Sequence, residues 1–479
     1  MQTRNLSSMP MDNMLPGSLR GAIQCVTLLL GDLCAFVLAT VLAILITRDQ
    51  SQLQIYGVLV LAWLLWFGLV KMVYTRRKPF WTELWQIFMG LLMFATVNAA
   101  LSGMGDTGFA RPCLVITWLS LLLLLPGART VSRFFLCHFK MWCIPTLIIG
   151  NGENAKEAYL ALKSEPSMGF DVKAFALLAN NDCIASAPSP IAAMPIVFVN
   201  KHPQNFQQLR PFHCVIALEA HERELRDTVI RLLNQNKIND IHVIPSMRGV
   251  PLYGMETSHF FSHEVLLIQL RNNLANPLHR ISKRVFDVFG SISLLLLLSP
   301  LFALLAYKVG KDGGEPFFGH LRVGQNGQLF KCYKFRSMVI NAEEVLKHLL
   351  ATDPVAQAEW EQDFKLKTDP RVSQLGAFLR RSSLDEIPQL WNVLKGDMSL
   401  VGPRPVVQAE LERYGEDVDY YLMAKPGMTG LWQVSGRNDV DYATRVYLDS
   451  WYVKNWSLWT DIAILFKTIS VVTGRSGAY

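Results

Sequence analysis

Four apolar stretches fill the first 130 residues, near Ala22–Ile46, Ile55–Tyr74, Trp85–Met104 and Pro112–Pro126. A helix needs roughly 20 residues to cross a hydrocarbon core of about 30 Å. Three of the stretches reach that length and the fourth falls somewhat short of it. The first follows a polar leader and is too long for a signal-peptide core, so it reads as an anchor. A purely soluble fold would have to bury all four stretches against one another. The composition speaks for two populations instead. Hydrophobic residues make up 51% of the 479 and charged residues only 18%, against about 25% charged in an ordinary soluble domain. That content excludes a disordered chain, yet it is too rich in charge for a chain made only of membrane helices.

Lys and Arg in short loops set the orientation of such helices. Arg4 and Arg20 precede the first stretch; Lys71, Arg76, Arg77 and Lys78 follow the second; Arg129, Arg133 and Lys140 follow the fourth. The other side carries only Arg48 and Arg111. Both ends of the four-helix unit are therefore expected in the cytoplasm. The eight cysteines are scattered and form no CxxC, which points away from a disulfide scaffold or zinc site and fits a reducing compartment. The net charge of +7 suits an anionic membrane surface or phosphorylated substrates. No zinc-finger spacing or RNP-like motif supports a nucleic-acid partner.

From Pro145 the pattern becomes globular. Thr146–Ile149 reads as a buried strand, followed by Gly150-x-Gly152-x-x-Ala155 and a helix start. Further strands are expected at Val172–Leu178, Ile196–Val199, Cys214–Leu218 and Ile241–Ile244, with a helix at Arg223–Gln235. Strands alternating with helices imply a parallel, Rossmann-like α/β sheet. The glycine pattern resembles a dinucleotide fingerprint. Asp171 precedes the second strand and Asp182 lies well past it, so neither is placed to hold a ribose. A tight strand–helix turn is the favoured reading, and the domain is expected to regulate, dimerise or space rather than catalyse.

A fifth apolar run, Val288–Tyr307, has no charged residue and is long enough to span. Ser299-Pro300 interrupts it, and proline removes a helical hydrogen bond. Its flanks are positive on both sides: Arg280, Lys283 and Arg284 before, then Lys308, Lys311, Arg322, Lys331, Lys334 and Arg336 after. A crossing helix should be asymmetric. The expectation is a helix–break–helix that dips into the cytoplasmic leaflet and returns.

The chemistry-bearing residues follow residue 315. Pro316–Gly327 reads as a hairpin with an Asn-Gly turn, leading into a strand whose alternation puts Lys334 and Arg336 on one face, suited to phosphate. Ser383 and Glu386 have capping-box spacing. Asp385 and Glu386 are adjacent carboxylates beside Arg380 and Arg381. A helix N-terminus and nearby arginines would keep Asp385 ionised and draw a phosphate to it, as a covalent phosphoryl acceptor requires. A second carboxylate could hold Mg²⁺ against the repulsion between Asp385 and a diphosphate. Prolines flank Arg404 and stiffen an anion clamp. Lys425–Arg437 is a Gly-rich loop that could wrap a nucleotide or merely connect.

The segments KFRSM, DPRVSQLGAFLRRSSLDEIPQLWNVLKGDMSLVGPRP and KPGMTGLWQVSGR resemble the bacterial sugar transferase family, polyprenyl-phosphate phosphoglycosyl transferases, in its long form. The resemblance covers roughly residues 280–479. It implies transfer of a sugar 1-phosphate from a UDP-sugar to undecaprenyl phosphate with release of UMP, galactose being the sugar expected, as the first membrane step of O-antigen (lipopolysaccharide) synthesis. Glucose, for exopolysaccharide or capsule, is the alternative donor sugar, and a non-catalytic nucleotide-sensing membrane scaffold is the reading from another class. The resemblance further implies Asp385 as nucleophile, with Asp385 and Glu386 as the Mg²⁺ site. Lys334, Arg336, Arg380, Arg381 and Arg404 become phosphate-binding candidates, and Ser299-Pro300 the membrane break.

The expected architecture is therefore a multidomain α plus α/β membrane protein. Residues 1–140 form four transmembrane helices and 141–270 a Rossmann-like cytoplasmic domain. Residues 280–479 form a mainly helical catalytic domain with a re-entrant helix at about 286–308. The expected location is the bacterial inner membrane, with the catalytic domain on the cytoplasmic face, in contact with inner-membrane lipids and as a homodimer. Trp451, Tyr452, Trp456 and Trp459, beside the apolar Ile462–Val472, suggest an interfacial helix, with a packed helical core equally open. Asp461 falls in a family position without an evident physical role.

Overall fold

The computed structural model describes residues 17–75, 77–103, 111–179, 191, 194–200, 206–238, 241–247, 250, 255–259, 266–269, 273–353, 357, 369–435 and 441–473. Arg4, Arg76, Met104, Asp182, Thr368, Gly436 and Arg437 lie outside the described residues. The chain divides into two compact units, Met1–Arg248 and Gly249–Tyr479.

The first unit begins with helices α1 (Gly17–Thr47), α2 (Leu53–Leu65, prolonged by a π turn Trp66–Val70), α3 (Phe80–Gly103) and α4 (Arg111–His138). Each contains a segment long and apolar enough to cross a membrane. The fourth is not short: it runs through Pro126 for 28 residues. Leu121 and Leu125 are buried on one side of that proline and Arg129 on the other, so packing carries the helix across the missing hydrogen bond. Arg129 and Arg133, read as loop charges, belong to this helix. Arg129 donates to Asp32 (2.8 and 2.6 Å) and to Glu83 (2.7 Å), and Arg133 pairs with Glu83. Tyr74 and Trp63 also donate to Asp32, at 2.6 and 3.3 Å. Every carboxylate in this cluster is paired, which buried charge requires.

Strands β1 (Ile144–Ile149), β2 (Phe170–Ala179), β3 (Ile196–Asn200), β4 (His213–Ile216) and β5 (Ile241–Val243) form an all-parallel sheet in the order β3-β2-β1-β4-β5. Helices α5 (Glu153–Ser164) and α6 (Arg223–Gln235) are its crossovers among the described residues. This is the doubly wound order, with its switch point between β1 and β4. Arg20 donates to the carbonyls of Met141 (2.8 Å), Lys140 and Cys143, and Arg77 to that of Met168 (2.6 Å) while stacking on Trp142. These two arginines of the positive loops join the bundle to the sheet.

The switch point explains its glycines without a ligand. The Glu219 carboxylate accepts the Asn154 backbone N–H at 2.8 Å, at the start of α5 where a pyrophosphate would lie. A Cβ on Gly152 would collide with that carboxylate, and one on Gly150 with the Ala217 carbonyl. The tight-turn reading thus has a concrete cause, and the anion position is taken by the chain's own side chain.

The second unit starts with a hairpin, β6 (Glu256–His259) and β7 (Leu266–Gln269), followed by α7 (Pro277–Gly310). In α7 the helix is continuous through Ser299-Pro300 over 34 residues, where the sequence suggested a broken one. Two of its flanking cations are spoken for. Lys283 pairs with Asp461 at 2.7 Å, and Arg284 donates to the Val393 and Leu394 carbonyls at 2.6 and 2.7 Å. The flank is therefore less positive than the residue count implied. Beyond α7 come β8 (Phe317–Val323) and β9 (Leu329–Phe335), paired antiparallel around Asn326-Gly327 as expected.

Helices α8 (Ala342–Thr352), α9 (Gln374–Arg381) and α10 (Gln389–Lys395) precede β10 (Ser399–Val401). The rest is α11 (Val418–Met423), β11 (Gly427–Thr429), α12 (Leu431–Val434), α13 (Tyr442–Lys454) and α14 (Leu458–Thr473). Asp461 is fully buried and accepts from Lys283, Tyr452 (2.7 Å) and Trp456 (3.1 Å). It ties α7 to α13 and α14, which is the role the sequence did not disclose. Tyr452 and Trp456 are accordingly core residues, not interfacial ones.

Candidate active site

The site is built on β9 and the turn after α9. Asn392 of α10 behaves as an extra strand edge: its amide donates to the Lys331 carbonyl (2.8 Å) and accepts the Tyr333 N–H (3.0 Å). That fixes β9 against the segment carrying Asp385. Ser383 adopts a left-handed conformation (φ 53°) and makes no side-chain cap, and Leu384–Glu386 form a single 3-10 turn. The capping-box spacing therefore does not begin an ordinary helix. A left-handed serine is locally strained, and here it turns Asp385 inward and Glu386 toward Lys334.

Lys334 Nζ lies 2.6 Å from Glu386 Oε1 and 3.7 Å from Asp385 Oδ2. Glu386 is thus held firmly while Asp385 remains the freer carboxylate. Asp385 is 8% exposed. Burial raises its carboxyl above the usual range, and Glu386 adds to this, while Lys334 and Arg380 act the other way. The sequence suggested a carboxylate held ionised by a helix end and arginines; desolvation outweighs them. Burial also works against the Lys334 charge, but Glu386 and Asp385 prevail and hold it above its ordinary value.

Arg404 reaches the same region from the other side. β10 pairs parallel with β11 (Ser399 with Gly427, Val401 with Thr429). The Gly402 and Gly427 backbones approach so closely that a Cβ on either would collide with the other. Gly427 N donates to the Pro403 carbonyl at 2.8 Å, which sets the course of the chain into Arg404. The guanidinium stacks on Trp432, 5.4 Å from the ring centroid. Burial and the neighbouring Arg445 lower its pKa, while Glu386 supports its charge. Unlike Arg322 and Arg445, which contact Glu410 at 3.8 and 3.4 Å, Arg404 makes no ion pair among the described residues. A half-buried guanidinium with no ion pair among the described residues is poised for an anionic ligand.

The other candidates are placed differently. Arg380 Nε donates to Ser337 Oγ at 2.9 Å and stays close enough to Asp385 to favour its charge. Arg381 is exposed and reaches only the Ala377 carbonyl, at 3.4 Å. Arg336 departs from the one-face expectation. It pairs with Asp312 at 2.8 Å and donates to the Val309 and Glu315 carbonyls, because the strand ends at Phe335 and alternation no longer governs it. Asp369 and Arg371 close a turn on each other at 2.7 Å.

Two adjacent carboxylates with Lys334 between them form too small a set to enclose a cation alone. Among the described residues no three His, Cys, Asp or Glu side chains gather into a metal site. The pair does fit Mg²⁺ of the kind that takes one or two carboxylates and completes its shell with substrate phosphates. Arg445, Trp432 and Asn392 were not singled out from the sequence. Trp432 and Asn392 stand inside the quoted family segments without a role of their own, and Arg445 lies beyond them.

Residues 278–475 match the profile of the bacterial sugar transferase family. The chain is 53% identical over 414 residues to the undecaprenyl-phosphate galactose phosphotransferase of Salmonella typhimurium, covering 86% of each chain. It is 47% identical over 476 residues to a UDP-galactose-lipid carrier transferase of Erwinia amylovora, covering 96% of this chain and 98% of that one. It is also 53% identical over 204 residues to the exopolysaccharide production protein ExoY of Sinorhizobium fredii, where 42% of this chain covers 90% of the relative. The last match shows that the second unit's chain length suffices for a separate protein, and the first two extend the likeness through the bundle and the sheet: the chain belongs to the bacterial sugar transferase family.

Proposed function

We propose that this protein transfers galactose 1-phosphate from UDP-galactose to undecaprenyl phosphate and releases UMP. The observation that carries the reading is a buried, loosely held Asp385 beside Lys334 and the unpaired Arg404. Likeness over nearly the whole chain to relatives named for galactose transfer supports the sugar. An Asp385 carboxylate oxygen attacks the β-phosphorus of the donor, and the bond from that phosphorus to the bridging oxygen breaks, so that UMP leaves with the electron pair. A phosphate oxygen of undecaprenyl phosphate then attacks the same phosphorus and expels Asp385, restoring the enzyme. Burial strips water from Asp385 and makes it a better nucleophile. Arg404 and Lys334 offset the charge that gathers on the phosphoryl oxygens. Glu386, with Asp385, would hold Mg²⁺, which would screen the diphosphate.

In this reading the apolar helices hold the protein in the inner membrane with the catalytic unit on the cytoplasmic face. α7 dips into the near leaflet, so that the site meets the lipid phosphate at the headgroup plane, and the protein works as a homodimer at the start of O-antigen synthesis. The nucleotide-sensing scaffold is disfavoured by Glu219, which already occupies the α5 N-terminus. The test is product analysis with a panel of UDP-sugars. UMP release, fastest with UDP-galactose, is expected; UDP release would exclude the mechanism, and preference for UDP-glucose would overturn the sugar. Labelled sugar phosphate should become trapped on the protein, and Asp385→Asn should abolish that label.

A further inference from the structure

Asp449 of α13 is a buried carboxyl, 2% exposed, and the proposed reaction does not touch it. Its surroundings are nevertheless continuous with the anion site. Oδ2 accepts the Tyr414 hydroxyl at 2.9 Å. Oδ1 is buried without a hydrogen-bond partner among the described residues; Arg445 lies one helical turn earlier on α13, and both Arg445 and Arg404 favour the charged form of Asp449. Arg445 and Arg404 both stack on Trp432, 5.0 and 5.4 Å from the ring centroid. Arg445 also contacts Glu410, which is shared with Arg322. The other ionisable neighbours on the packed elements are Tyr421 and Tyr442. Glu410 is thus the carboxylate in contact with Arg322 and Arg445, and Asp449 is the buried one behind the two guanidinium groups that share Trp432.

We propose that Asp449 is a positioning residue for the transfer reaction, one that acts through the Arg445–Trp432–Arg404 stack and sets, by its own charge, how strongly Arg404 attracts the donor diphosphate. Burial pushes the Asp449 carboxyl up to about 7, so its charge changes within the working range. As pH rises through that value a negative charge develops beside Arg404, the site becomes less cationic, and donor affinity falls. The inference rests on the reaction proposed above.

The experiment follows UMP release by the full-length protein in lipid nanodiscs, with KM for the donor and kcat determined from pH 6 to 8.5. In the wild type, KM should rise about fivefold across neutral pH, a coupling of ordinary size. Asp449→Asn should remove that inflection in KM while keeping kcat within about threefold. Tyr414→Phe deletes the hydroxyl that stabilises the charged carboxylate, so it should move the inflection to higher pH, and a merely structural role would not produce that shift. If Asp449→Asn fails to fold, the Tyr414→Phe displacement decides alone. An inflection that stays in place in Tyr414→Phe, or survives in Asp449→Asn, overturns the proposal. Absence of UMP from the wild type would instead sink the reaction itself.

Discussion

Two charge clusters in this protein, one buried and one half-open, follow opposite rules. In the helical bundle, Asp32, Glu83, Arg129 and Arg133 are each ion-paired within the set. In the catalytic unit, Lys334 pairs with Glu386 and only loosely with Asp385, while Arg404 has no carboxylate partner among the described residues. The first arrangement holds helices together. The second leaves charge available to something that arrives later. A buried charge reveals its purpose less by being buried than by whether its partner belongs to the same chain.

The contrast breaks most sharply at Asp385. Asp385→Asn should reduce UMP release by at least about 10³-fold. Its carboxyl is raised in the folded state, so the fold prefers it protonated, and its contribution to stability is present below the ordinary aspartate range and lost as pH rises through the raised value. The same substitution should therefore raise the melting temperature at neutral pH. An unchanged rate would end the assignment, and a lowered melting temperature would contradict the burial argument. Turnover in the wild type should fall on acidification, with its midpoint above the usual aspartate value of about 4, because only the ionised form attacks.

Arg129→Met is the counterpart in the bundle. It removes the guanidinium paired with Asp32 and leaves Glu83 with Arg133 alone among the described residues, at a cost of about 3–5 kcal/mol, read as a large drop in thermal stability in nanodiscs. Arg404→Gln should do the reverse: a loss of about 10²-fold in kcat/KM with a smaller change in melting temperature, since no ion pair among the described residues is broken. If both variants lost stability alike, the distinction between the clusters would fail. The smallest effect belongs to Glu219→Gln, which weakens the bond to the α5 N-terminus. It should cost about 1 kcal/mol or less and leave UMP release unchanged.

Much of this organisation was legible in the sequence because it rests on periodicity and length. The four apolar helices, the parallel strands of the sheet, the Arg223–Gln235 helix and the Asn326-Gly327 hairpin all lie where pattern puts them. What pattern missed was pairing. Arg129 and Lys283 look like loop or flank charges until their partners Asp32 and Asp461, distant in sequence, come into view. Pro126 and Pro300 look like breaks, but the helix runs through each. At the site, the Asp385-Glu386 pair and Lys334 were visible as residue types in a spacing. The strand end that turns Arg336 away and the burial that raises Asp385 exist only in three dimensions. Asp449 was invisible for the same reason: in a helix of mixed polarity a carboxylate reads as one more solvated side chain until its burial is seen.

The Lys283–Asp461 tie also orders events in time. The two residues are 178 positions apart. At 5–20 residues per second on the ribosome, Lys283 waits roughly 10–40 s for its partner to be made. During that interval a charged side chain on a newly emerged apolar helix has no fixed place, and α7 cannot settle into its final seat. The helix that carries Asp461 is therefore the one that locks α7, long after α7 itself has been made.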